Sequence, residues 1–77
     1  MTKKEQAINK LQNRISKMSD TMIISCLKDM AKPWDQRTEE ERIVRAYLFE
    51  EYENRNGEDA VDMLFDLIEE IEESKRK

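Results

Sequence analysis

The chain has 77 residues, of which 38% are apolar and 42% are charged, with no His, one Cys, one Gly and one Pro. Without His, the most common general base and metal ligand are missing, and a single Cys forms neither an internal disulfide nor a zinc site. One glycine does not supply a glycine-rich phosphate loop. The composition therefore predicts one domain at most, with no catalytic, metal-binding or cofactor-binding residues.

The net charge of −4 is unevenly distributed along the chain. Residues 1–37 contain eight Lys/Arg and four Asp/Glu, whereas residues 38–77 contain six and fourteen. The acidic total argues against direct nucleic-acid binding, which usually requires a strong basic excess, and favours a protein partner with a basic surface. No apolar run approaches the ~20 residues that span a bilayer, and no secretory signal follows Met1, so we expect a cytoplasmic protein without a membrane contact.

Helical periodicity starts close to the N-terminus and predicts a first helix over residues 3–17. Its apolar residues recur at spacings of three, four and three: Ile8, Leu11, Ile15 and Met18. The N-cap residue types at 19–21 predict a second helix over 20–31. A continuous helix over 3–31 is the alternative, although the apolar seam does not extend past Met22. Pro33 ends this region, because a proline disfavours helical geometry in the residue before it.

The most specific local signal is the capping box Thr38-Glu39-Glu40-Glu41, in which Thr38 and Glu41 each satisfy a free backbone N–H. It predicts a third helix over 39–55, with favourable ion pairs Glu41–Arg45 and Glu51–Arg55 one turn apart. Gly57 is suited to end this helix. A fourth helix over 58–73 follows at once.

These elements predict an all-α fold, a compact bundle of three to four short helices. The third and fourth helices are expected to form an antiparallel hairpin joined through Gly57. We expect residues 1–77 to make a single helical domain in which 1–2 and 74–77 are frayed.

The fourth helix has an unusually wide apolar face of roughly 200° and an acidic face opposite it. One neighbouring helix does not cover such a face, so either this helix is central to the bundle or part of the face meets a second chain. The residues considered for self-association are Met63, Leu67 and Ile71. The acidic face is either solvated or binds a basic partner surface through Asp62, Asp66, Glu69, Glu70 and Glu73. Carboxylates on one helix diverge, which argues against a metal site.

Three further residues are candidates for partner binding. Phe49 lies away from the main apolar face of the third helix, where it either packs on another helix of the same chain or forms a recognition patch. Arg45 can stack on Phe49 one turn later. Trp34, beside Pro33, either covers the open end of the bundle or is an exposed anchor for a partner.

The segment Thr38-Glu39-Glu40-Glu41-Arg42-Ile43-Val44-Arg45-Ala46, with Glu51-Tyr52-Glu53-Asn54-Arg55 and Ala60-Val61-Asp62 after it, resembles small helical proteins encoded on plasmids and phages. Among these it is similar to the anti-defence group, the anti-CRISPR and antirestriction proteins, over residues 38–68. The resemblance implies a protein that occupies a surface of a host nuclease or surveillance complex. No site residues are transferred from that group.

These observations lead us to expect a non-enzymatic inhibitor or adaptor, without cofactors, that binds a basic protein partner through the acidic face. The alternative is a homodimeric structural or regulatory helical module. In that case the fourth helix and the apolar seam of the first helix mediate self-association, and the acidic face is only solvated.

Overall fold

The structure is a computed structural model and describes residues 2–75. This part of the chain contains four α-helices: α1 (Lys3–Ser16), α2 (Asp20–Asp29), α3 (Glu39–Asn56) and α4 (Glu58–Ser74). A short 3-10 helix, Trp34–Gln36, lies between α2 and α3. The predicted all-α bundle is confirmed, and so is the hairpin, because α3 packs most extensively against α4.

The predicted boundary between the first two helices is confirmed, and the continuous helix is wrong. α1 ends at Ser16 and α2 starts at Asp20. The hydroxyl of Ser19 accepts a hydrogen bond from the backbone N–H of Met22 at 3.2 Å, which satisfies a free donor at the start of α2. α2 ends at Asp29, two residues earlier than predicted.

Fraying of residues 1–2 and 74–77 stays a prediction, and Thr2 and Ser74 among them make hydrogen bonds at the helix ends. The Thr2 hydroxyl caps α1 by accepting a hydrogen bond from the Glu5 N–H at 3.2 Å. Ser74 is the last residue of α4, and its hydroxyl donates to the Ile71 carbonyl at 2.7 Å. The predicted fraying of Met1, Arg76 and Lys77 lies outside the described residues.

The central helix of the bundle is α3, which packs against α1, α2 and α4, while α2 also packs against α4. Of the two explanations for the wide apolar face of α4, the one that makes α4 the central helix is therefore wrong. The core draws on all four helices, and its most completely buried side chains, each under 2% exposed, are Ile23, Leu27, Leu48 and Ile68. Burial of each such side chain contributes roughly 1.5–3 kcal/mol.

Arg55 joins the end of α3 to the end of α1. Its guanidinium donates to the carbonyl oxygens of Ile15 at 3.2 Å, Ser16 at 3.0 Å and Met18. These acceptors lie in and just after the last turn of α1, where free carbonyls favour a cation.

The same guanidinium contacts two carboxylates. Its Nε lies 2.8 Å from an oxygen of Glu51, which confirms the predicted pair one turn apart, and a terminal nitrogen lies 3.1 Å from Asp20. The hydrogen bonds to Glu51 and then Asp20 raise the pKa of Arg55 above its ordinary value. Arg55 therefore remains charged. It links the C-terminal end of α1 and the first residue of α2 to the last turns of α3.

Gly57 connects α3 to α4 with φ +94° and ψ 172°, a conformation available almost only to glycine. Nothing lies within 4 Å of the position that a Cβ atom would occupy. Glycine is therefore required here for its backbone conformation and not because a side chain would clash.

We expect Gly57→Ala to lower the free energy of unfolding by about 1–3 kcal/mol, because an L-residue is strained at this positive φ. Urea denaturation followed by circular dichroism measures the loss. D-alanine introduced at position 57 by chemical synthesis is the control, since it adopts positive φ without strain. Equal losses for both residues would contradict the explanation.

The predicted capping box at the start of α3 is confirmed. The Thr38 hydroxyl accepts from the Glu41 N–H at 3.1 Å, and the Glu41 carboxylate accepts from the Thr38 N–H at 3.0 Å. The carboxylate also lies 2.9 Å from the ammonium of Lys32. The Thr38 backbone hydrogen bond and then Lys32 lower the pKa of Glu41 below its ordinary value of 4.5.

This lowered pKa predicts a defined pH dependence of stability. A carboxylate whose pKa is lower in the folded state stabilises the fold fully above pH 4.5, and the contribution is lost as the pH falls through the folded-state pKa. Wild type should therefore be more stable than Glu41→Gln at neutral pH, with a difference that shrinks below pH 4.5. Urea midpoints measured against pH test this, with Glu40→Gln as the control for charge in the first turn. A difference that stays constant down to strongly acidic pH is the contrary result.

Candidate functional site

A buried charge cluster joins α4 to the segment that precedes α3. The carboxylate of Glu72 is 2.7 Å from a terminal nitrogen of Arg37 and 2.9 Å from Nε of Arg45. A second bond, from Arg45 Nη2 to the other Glu72 oxygen at 3.2 Å, makes the Arg45 contact bidentate. Only 5% of Glu72 is exposed. Arg37 also donates to the Lys32 carbonyl at 3.1 Å, which fixes the loop after α2.

Sequence reasoning missed Glu72 and assigned Arg45 to another partner. The predicted Glu41–Arg45 pair is wrong, because Glu41 binds Lys32 and the Thr38 N–H, while Arg45 binds Glu72. A signal for Glu72 was present: it follows Val61, Leu64 and Ile68 on one face of α4, at helical spacing. A carboxylate on a buried face requires a cationic partner.

Aromatic rings pack around the Arg45 guanidinium. Its central carbon lies 4.8 Å from the ring centre of Phe49 and 5.2 Å from that of Phe65, and the two rings lie 5.4 Å apart. The predicted Arg45–Phe49 stacking is therefore confirmed. Phe49 is 8% exposed, so its interpretation as an exposed recognition patch is wrong, and its packing within the chain is confirmed. Arg45 is likewise occupied by Glu72, which makes it a supporting residue and not a free partner-binding group.

Trp34 is the most exposed aromatic residue considered for partner binding. Trp34 lies in the 3-10 helix and is 61% exposed, which favours the interpretation as an exposed anchor over that of a cover for the end of the bundle. The Arg42 guanidinium lies 4.5 Å from the centre of the indole ring. This contact shows that a face of the ring accepts a cation.

Trp34 lies in a cleft that also contains part of the acidic face. We call it the Trp34 cleft; it encloses about 220 Å³, and its lining residues are Pro33, Trp34, Arg37, Arg45, Phe65, Glu69, Glu72 and Glu73. Three carboxylates and two guanidinium groups give this lining a net negative charge. Phe65, which sequence reasoning did not single out for binding, is 41% exposed here.

The five residues of the acidic face, Asp62, Asp66, Glu69, Glu70 and Glu73, are all exposed on α4. Asp62 lies at a second hollow of about 410 Å³, which shares Arg45 and Phe65 with the Trp34 cleft. Asp62 and Glu69 thus flank the exposed ring of Phe65. Within residues 2–75, no group of three Cys, Asp or Glu side chains is arranged to hold a metal ion.

The residues considered for self-association do not share one environment. Met63 is 75% exposed and Leu67 is 42% exposed, whereas Ile71 is half-buried and packs against the core. The wide apolar face of α4 is therefore divided: most of it packs against α2 and α3, and Met63 and Leu67 remain on its solvent edge. Ile71 contributes mainly to the fold.

Comparison with protein-family models, with curated proteins and with solved structures finds no match to this chain. Among residues 2–75, no helix has both the length and the apolar character needed to cross a membrane.

Glu72→Ala should destabilise the fold by about 3 kcal/mol, because it leaves Arg37 and Arg45 buried without their carboxylate. The side chains of these arginines are only 9% and 17% exposed. Urea denaturation measures the change. Glu70→Ala, at an exposed position of the same helix, is the control and should change stability by about 0.5 kcal/mol or less. Comparable losses in the two variants would disprove a structural role for the cluster.

Proposed function

We propose that this protein is a non-enzymatic protein-binding inhibitor or adaptor that docks on a basic partner surface. The observation that supports this most strongly is the Trp34 cleft, in which an exposed indole lies beside Glu69 and Glu73 of the acidic face. Aromatic residues supply much of the affinity at protein interfaces, and complementary charge increases association rate and selectivity.

The cleft suits a cationic side chain. Arg42 makes a cation–π contact with Trp34, which shows that the indole ring can bind a cation. Glu69 and Glu73 on the α4 side add negative charge to the rim of the cleft. A Lys or Arg of the partner entering here would lie near both the indole and Glu69. The other carboxylates of the acidic face would meet further basic residues along α4.

The buried cluster supports this role by fixing the positions of the residues around the cleft. Arg37 connects the Trp34–Gln36 turn to Glu72, and Glu72 belongs to the helix that carries the acidic face. The indole and the carboxylates are thus held in place before binding. Preorganisation of this kind reduces the entropy lost on association.

A strip of exposed carboxylates on a rigid helix also resembles, in its charge pattern, a row of phosphates. A basic groove that normally binds nucleic acid is therefore the class of partner surface we favour. With the resemblance of residues 38–68 to anti-defence proteins of phages and plasmids, this suggests inhibition of a host nucleic-acid-handling complex in the cytoplasm.

The alternative function, a homodimeric structural or regulatory module, is favoured by exposed apolar surface. Met63 and Leu67 leave apolar surface exposed on α4. In that case the acidic face is only solvated. Affinity capture with this protein as bait would then recover further copies of the same chain and no other protein.

The proposal is tested by affinity capture from lysate of the native host, followed by titration of the retained protein at several salt concentrations. The paired substitution Asp66→Lys/Glu69→Lys should weaken binding at least about tenfold at low salt and flatten its salt dependence, because steering by these charges is lost. Trp34→Ala should weaken binding by a similar factor at all salt concentrations.

The matched control is Glu5→Lys/Asp29→Lys, which changes the net charge equally at exposed positions on α1 and α2. This variant should retain most of the affinity. The proposal fails if Asp66→Lys/Glu69→Lys binds the captured protein as wild type does at every salt concentration, or if both paired variants lose affinity to the same extent.

A further inference from the structure

A second surface, independent of the Trp34 cleft, lies between the N-terminal halves of α1 and α3. We call it the α1–α3 groove; it encloses about 460 Å³. Its apolar walls are formed by Ile8 and Leu11 on α1 and by Ile43 and Val44 on α3. Lys4 borders the α1 side of the groove, and Glu39 and Glu40 border the α3 side.

The groove exposes apolar side chains that the core does not use. Leu11 and Val44 pack against the core from its edge, but within residues 2–75 Ile8 and Ile43 belong neither to the core nor to the side chains packed on it. Both are only partly buried. A small bundle gains stability by covering such a surface through association.

The two walls run in the same direction and carry opposite charge. The groove joins the first turns of α1 and α3, and Arg55 near the end of α3 binds carbonyls at the end of α1, so the helices are parallel. Because the helices are parallel, Lys4 on the α1 wall lies across the groove from Glu39 and Glu40 on the α3 wall.

We propose that a second copy of this chain covers the α1–α3 groove, related to the first by a two-fold axis parallel to the two helices. Such an axis exchanges the walls, so that α1 of each copy lies against α3 of the other at the same height. Lys4 of one copy then meets Glu39 and Glu40 of the second, twice in the dimer. Next to each of these ion pairs, Ile8 and Leu11 of one copy pack against Ile43 and Val44 of the other.

Charge selects this arrangement over other pairings. A two-fold axis across the helices would leave Lys4 without the two glutamates opposite it. Pairing through the exposed Met63 and Leu67 of α4 would bring two acidic faces together, and like charges at an interface are unfavourable. The α1–α3 groove is the self-complementary surface.

Sedimentation equilibrium from micromolar to millimolar concentration tests the proposal. Wild type should form a dimer, and Ile43→Asp should raise its dissociation constant at least about tenfold, because an unpaired charge would enter the apolar interface. Met63→Asp is the matched control on the other exposed apolar surface and should leave the constant unchanged. Circular dichroism checks that both variants retain their helices.

Charge reversal separates a specific interface from a loss of folding. Lys4→Glu should weaken the dimer, and the combined variant Lys4→Glu/Glu39→Lys/Glu40→Lys should recover it. A wild-type chain that stays monomeric at millimolar concentration overturns the proposal. So does a dimer that Met63→Asp dissociates and Ile43→Asp does not, and so does a combined variant that fails to recover association.

Discussion

The carboxylate of Glu72 lies between the guanidinium groups of Arg37 and Arg45, and this contact joins α3, α4 and the loop before α3. The segment after α2 contains the only proline and a single turn of 3-10 helix, so it has little regular hydrogen bonding of its own. Arg37 connects it to α4, and Arg45 connects α3 to the same carboxylate. An isolated charge at this depth would be costly, but two cations and three short contacts satisfy it. The position of Trp34 beside the acidic face follows from this arrangement.

The helix boundaries were predictable because their signals are local. Ser19, Thr38 and Gly57 act through their own hydrogen bonds or backbone angles, and the structure has each of them at the expected helix end. Arg45 and Phe49 were not predictable in the same way. Their environment depends on how α3 is rotated against α4, and a single sequence does not fix that rotation. Arg45 had two carboxylates within reach in principle, Glu41 one turn away and Glu72 across the hairpin, and only the packed structure distinguishes them.

For the candidate site, the acidic face was predictable from helical periodicity, because five carboxylates of α4 share one side of the helix. The association of this face with Trp34 was not, since it requires the course of the loop between α2 and α3. The α1–α3 groove was predictable only in part, because the seam of α1 was considered for self-association but its neighbour across the groove, α3, was not. Ile8 and Leu11 belong to a seam that predicts burial, and only the tertiary arrangement shows that Ile15 alone among the seam residues is fully buried.

The Arg55 contacts have a further consequence for the internal motions of the bundle. The Arg55 guanidinium donates hydrogen bonds to the carbonyl oxygens of Ile15, Ser16 and Met18. The C-terminal end of α1 is therefore bound to α3. Toward its N-terminus α1 is held by Leu11, which packs at the edge of the core, whereas Ile8 is partly buried and does not pack against the core. Local unfolding of α1 should therefore start at its N-terminal turns and stop near Ile15, which amide hydrogen exchange would record as a gradient of protection along this helix.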